Sequence, residues 1–137
     1  MIKLGTTFWG GFPDDPDRRH LWFVISDPDS NHGLAVIVNM TTYRAGSEDC
    51  CVLQPGDHPA VKHESVINYL RARNVPVASI EKAHKSQPDC IVFAETADLK
   101  LIIRILEGAQ KSKRINAECR AIADRELKRC QPSGEED

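Results

Sequence analysis

Long hydrophobic runs are missing from this chain. The longest apolar stretches, such as Leu34 to Val38, fall far short of the roughly 20 residues a spanning helix needs. No membrane association is therefore expected. The first residues, MIKLGTTFWGG, hold one lysine and neither a long apolar segment nor a small-residue cleavage site, so no signal peptide is expected and the reading is cytoplasmic. Strong charge of one sign is also lacking: the formal net charge is −2, which gives no global attraction to a polyanion. Any nucleic-acid binding must rest on a local basic patch, because steering follows the local field and not the sum. The five cysteines form no C-x-x-C pair, which excludes a zinc knuckle or a dithiol redox motif and fits a reduced protein. No Gly-x-Ser-x-Gly is present, so a serine hydrolase with a nucleophile elbow is not indicated. Internal repeats are absent too.

What is present is a soluble balance of 41% hydrophobic and 28% charged residues over 137 positions, enough for one core without staples. The first two thirds read as strands. IKLGTTFW is β-branched and aromatic and ends at Gly10-Gly11, ahead of a turn-forming GGFPDDPDRR. HLWFVIS and GLAVIVNM follow, separated by DPDSNH, as adjacent antiparallel strands. Both are nearly continuous in apolar residues, so both faces of that sheet should be covered. CCVL gives a fourth strand, and SVINYLRA or VPVASI a fifth. The last third changes period. Leu99, Ile102, Ile103 and Leu106 mark a helix over about 97–111 with Thr96 as N-cap, and Ile115, Cys119, Ile122 and Ala123 a weaker one over 112–130. Residues 131–137 read as a mobile acidic tail. Leu21, Phe23, Val24, Ile25, Ala35 and Ile37 join Leu99, Ile102, Ile103 and Leu106 in the expected core. The fold class is mainly β (α+β): a small barrel or curled sheet with C-terminal helices at one side.

CVLQPGDHPAVKHESVINY, residues 51–69, gathers Asp57, His58, His63, Glu64 and Ser65. Zinc sites combine two spaced ligand pairs, and here there is at most one, so no metal is assigned. The remaining readings are a polar turn or acid–base chemistry on a phosphodiester. RNA cleavage by internal transfer needs a base for the 2′-hydroxyl, an acid for the leaving oxygen and a donor to the phosphate, with no cofactor. Arg18, Arg19 and His20 precede one core strand; Thr41, Thr42, Tyr43 and Arg44 end the next. If the strands are antiparallel neighbours, these clusters meet at one rim. Arg clamps phosphate, His titrates near neutrality and Thr orients an oxygen. Asp57 or His58 should then stand on the wall of that cleft, His58 being favoured because Gly56 and Pro59 define a turn around it.

RHLWFVIS followed by LAVIVNMTTY, and then VLQPGDHPAVKHESVINYLRARNVPVASIEK, resembles the PemK/MazF family of bacterial toxin ribonucleases, over roughly residues 3–107. The resemblance implies an SH3-like barrel over 1–111 with a packed helix, shared in outline with the CcdB toxins, with residues 112–130 as an extension. It further implies a homodimer, metal-independent cleavage of single-stranded RNA, and a cognate antitoxin protein that covers the RNA groove. By position, the family's phosphate-binding Arg falls on His20 with Arg19 adjacent, and its Thr on Thr41 or Thr42. Leu21 replaces the family's Pro, and the Arg-x-Asp pair of some members falls on Asn68 and Leu70. The expected function is an endoribonuclease whose catalytic set is Arg19, His20, Thr41, Thr42, Asp57 and His58, with Arg18, Tyr43 and Arg44 on the RNA. The alternative is a non-catalytic barrel that binds a protein or nucleic-acid partner.

Overall fold

A computed structural model describes residues 1–11 and 19–131. Among these residues six strands form one antiparallel sheet: β1 (Thr7–Gly10), β2 (His20–Val24), β3 (Leu34–Thr42), β4 (Val52–Leu53), β5 (Ser65–Pro76) and β6 (Ile91–Ala94), in the order β4-β5-β3-β2-β1-β6. With α1 (Val77–Ser86), α2 (Leu99–Lys111) and α3 (Ala117–Cys130) it makes an α+β fold on a curled half-barrel sheet. The Asp-rich segment 12–18, expected as a turn, and the expected acidic tail at 132–137 lie outside the described residues. Among the described residues no helix is long and apolar enough to cross a membrane.

The continuous apolar strands are explained by covering on both faces. Successive side chains of a strand alternate between faces. Leu21 and Phe23 of β2, with Val36 and Val38 of β3, pack into a large cluster with Leu101, Ile102, Ile105 and Leu106 of α2. Trp22 and Val24, with Ala35 and Ile37, face the other way, onto Ile2, Phe8, Ile91 and Ile80 of α1. Cys119, Ile122, Ala123 and Leu127 of α3 enter the first cluster, so the C-terminal helix shares the core of the sheet.

β5 is where the sheet curls. From Ile37↔Arg73 to Asn39↔Asn68 the register moves two residues along β3 and five along β5. Residues 69–72 therefore bulge opposite Val38, and such extra residues bend and twist a strand. The bulge is anchored inward by Tyr69, 1% exposed, whose hydroxyl donates to the Ile105 carbonyl at 2.6 Å. Gly108 makes room for it: a Cβ there would collide with the Tyr69 hydroxyl and stand 2.9 Å from the Cys50 carbonyl.

Several expectations are corrected. VPVASI is not a strand of its own: Val75 and Pro76 end β5, and Val77, Ile80 and Ala83 present a helical stripe to the second cluster. The N-cap of α2 is Asp98, whose carboxylate accepts from Leu101 N–H at 2.8 Å, not Thr96. That start leaves Leu99 in the first turn, 53% exposed and outside the core, while Ile103 packs only against its edge.

Candidate functional site

The rim where β2 begins and β3 ends carries the site. Trp22↔Asn39 and Phe23↔Val38 fix the register, and continuing it sets His20 beside Thr41. On the far side of β3, Thr42 pairs with Ser65, the first residue of β5, so the segment leading into β5 passes the same rim. The result is a cleft of about 380 Å³ whose polar lining is Arg19, His20, Thr41, Thr42, Arg44, Lys62, His63 and Ser65, with Trp9, Leu21, Met40 and Ala60 completing the wall. The two clusters seen in the sequence thus share one cavity. Arg18 lies outside the described residues. Tyr43 does not line the cleft; its N–H donates to the Glu64 carbonyl at 3.2 Å, holding the rim to the incoming loop.

His63 is the residue that sequence reasoning passed over. Its Nε2 lies 3.0 Å from the Thr42 Oγ1, and the imidazole is exposed at the cleft. The Ser65 hydroxyl donates to the His63 carbonyl at 2.9 Å, which fixes the backbone just before the strand. Lys62 beside it adds a cation. Arg19 is steadied by a 2.8 Å donation to the Asp89 carbonyl, and Arg44 by its N–H to Ser47 Oγ at 2.9 Å. No carboxylate lines this cleft among the described residues. The nearest acidic neighbour in sequence, Glu64, is turned away to accept from Gln54 Nε2 at 2.8 Å. Three fixed cations and two histidines therefore face one cavity in a chain whose formal charge is −2.

Asp57 and His58 are placed elsewhere. They line a separate cavity of about 440 Å³ with Glu95, Thr96 and Asp98. His58 is 4% exposed, its ring edge-on to Phe23 with centroids 5.9 Å apart. Its Nε2–H donates to the Glu95 carbonyl at 2.6 Å while its Nδ1 accepts from Ala60 N–H at 3.0 Å, and these two partners assign the tautomer. A ring with both nitrogens engaged inside the fold has none to offer an RNA hydroxyl. The same Glu95 carbonyl accepts from the buried Thr7 hydroxyl at 2.7 Å, so His58 closes a junction between the loop, β1 and the approach to α2.

Asp57 is a clamp. Burial raises its carboxyl, but the Gln54 N–H and the Arg104 guanidinium outweigh it and hold the group below its usual value. The ion pair with Arg104 spans 3.0 Å and ties the loop to α2. His58 and His63 therefore serve different places and do not share an ion. Burial pushes up the thiols of Cys50, Cys51, Cys119 and Cys130, that of Cys51 to about 11, so these four offer no activated nucleophile. No family model matches the chain, and no curated protein matches it.

Proposed function

We propose that the cleft between β2, β3 and the 60–65 loop holds a phosphodiester of single-stranded RNA and cleaves it by metal-independent acid–base catalysis. The observation that carries this reading is the convergence of Arg19, Arg44, Lys62, His20, His63 and Thr42 on one cavity without a lining carboxylate. Arg19, Arg44 and Lys62 supply charge to a phosphate, and guanidinium groups can bind two of its oxygens at once. Thr41 and Thr42 offer hydroxyls beside it. One imidazole of His20 and His63 takes the 2′-hydroxyl proton as that oxygen attacks phosphorus. The other gives a proton to the departing 5′-oxygen, leaving a 2′,3′-cyclic phosphate and a 5′-hydroxyl. Trp9 provides an aromatic surface on the same wall, of the kind on which single-stranded bases stack.

This places the chemistry in the PemK/MazF manner but on His63 in place of Asp57 and His58. The curled six-stranded sheet supports an SH3-like barrel of that type, and with it a toxin in the cytoplasm that acts as a homodimer and is held in check by an antitoxin over the cleft. The test is direct. Purified protein incubated with a mixed RNA pool in chelator should yield fragments with cyclic phosphate ends, and Thr42→Ala or His20→Ala should abolish them without loss of fold. Binding of RNA with no cleavage by the unaltered protein would leave a non-catalytic binding barrel.

A further inference from the structure

His20, His58 and His63 differ in how firmly each ring is held. Both nitrogens of His58 are hydrogen-bonded inside the fold, to the Glu95 carbonyl and the Ala60 N–H. The His20 ring makes no hydrogen bond among the described residues. His63 lies between these cases: its Nε2 stands 3.0 Å from the Thr42 Oγ1, and its Nδ1 has no partner among the described residues. One nitrogen anchored and the other open is the state of an imidazole that is oriented and can still exchange a proton.

The anchor comes from the sheet. Thr42 pairs with Ser65 across β3 and β5, which brings both hydroxyls to the residue two before Ser65. The Ser65 hydroxyl donates to the His63 carbonyl at 2.9 Å and holds the backbone, while Thr42 holds the ring. The carboxylate of Glu64, between them in sequence, is occupied with Gln54 Nε2 at 2.8 Å. No other carboxylate lines the cleft among the described residues, so the partner of the imidazole is a neutral hydroxyl.

We infer that Thr42 is the positioning residue of the acid–base site, accepting the Nε2–H of His63 so that Nδ1 is the nitrogen that exchanges protons with RNA. The inference rests on the RNA-cleaving reading of the cleft. The direction of the bond follows from proton balance. A general base presents a bare nitrogen, and after taking the 2′-hydroxyl proton it is an imidazolium protonated on both nitrogens. A general acid runs the same change backwards. In either role the nitrogen held by Thr42 keeps its proton throughout, and only Nδ1 gains or loses one. Were the Thr42 hydroxyl to donate to Nε2 instead, the proton of the neutral ring would sit on Nδ1, with no bare nitrogen left for the substrate. A carboxylate in the place of Thr42 would also orient the ring, but its charge would repel the phosphate. Thr42 thus acts through His63, and the phosphate is left to the cations and Thr41.

The experiment compares the full chain with its Thr42→Val and Thr42→Ser variants, which respectively remove and keep the hydroxyl. Ring-nitrogen NMR of isotope-labelled protein, with the imidazoles neutral, should find His63 protonated on Nε2 and bare on Nδ1. Thr42→Val should lose that preference and Thr42→Ser should keep it. In single-turnover cleavage of a labelled oligonucleotide in chelator, Thr42→Val should lower the maximal rate by about 10²-fold at unchanged substrate affinity, and Thr42→Ser should restore it. In a His63→Ala background Thr42→Val should cost nothing further. A loss of affinity at unchanged maximal rate would make Thr42 a phosphate ligand and overturn the positioning role. So would a His63 tautomer indifferent to Thr42→Val, a Thr42→Ser protein no faster than Thr42→Val, or a further loss in the His63→Ala background. Each of these leaves the cleft reading intact, whereas no cleavage by the unaltered protein overturns both.

Discussion

The two histidines five residues apart should fail in opposite ways when each is replaced by alanine. His58→Ala removes a buried ring. The Glu95 carbonyl keeps its bond from Thr7, but the Ala60 N–H loses its acceptor inside the fold. That half-buried N–H, left without its acceptor, costs up to about 1–3 kcal/mol. Losing the edge-on contact with Phe23 adds roughly 0.5–1.5 kcal/mol. The sum is about 2–4 kcal/mol, and at roughly 3 °C per kcal/mol for a chain of this length the Tm should drop by about 10 °C. The folded fraction should still cleave. His63→Ala removes an exposed ring with one hydrogen bond, to Thr42, so stability should change by less than about 1 kcal/mol. Its cleavage rate should fall by about 10²–10⁴, the range for one general acid or base. Melting followed by circular dichroism and single-turnover cleavage of a labelled oligonucleotide read the two effects separately. A His58→Ala protein with unaltered Tm and no cleavage would put the chemistry in the other cavity. His63→Ala cleaving at the full rate would refute the acid–base assignment.

Two further predictions concern how the fold carries the site. Gly108→Ala should lower stability by about 1–3 kcal/mol, because the new methyl must displace the Tyr69 hydroxyl from its bond to Ile105. Urea titration measures it, and a midpoint equal to that of the unaltered chain would show that Tyr69 moves at no cost. Asp57→Asn should destabilise by no more than about 1 kcal/mol, the pair with Arg104 being partly exposed. Since the Asp57 carboxyl is held below its usual value, its contribution is present above the unfolded pKa and lost as pH falls through the folded one. The Tm gap between the two proteins should therefore be full at neutral pH and close in strong acid, and a gap that widens on acidification would contradict the clamp.

How much of this was legible follows from what strand pairing adds to a linear chain. β2 and β3 were readable because burial on both faces leaves continuous apolar runs, and their polar ends could be set side by side once the pairing was taken as antiparallel. α1 was not, because Val75, Pro76 and Val77 read as extended chain. The helical stripe Val77, Ile80 and Ala83 acquires meaning only when a second sheet face needs a cover. β6 escaped for a related reason: its four residues gain a role through β1, more than eighty positions earlier in the chain, with Phe8 opposite Phe93. Within 51–69, local cues favoured His58, since Gly56 and Pro59 shape its turn. Those cues describe a well-built turn, and its histidine points inward.

The decisive fact for His63 is instead a register, Thr42↔Ser65, which sets the residue two before Ser65 beside the hydroxyl of Thr42. The same logic explains Asn68 and Leu70, the positions where the resemblance sets a catalytic pair. The bulge at 69–72 breaks the alternation that would put both on one face toward the rim. Leu70 is left 66% exposed on the outside of the bend, while Asn68, the last residue before it, keeps its sheet partner Asn39. A strand that curls in this way cannot present a residue pair spaced two apart to a single phosphodiester. On the proposed chemistry the acid and base then come from β2 and from the loop before β5. His20 and His63 stand in those two places.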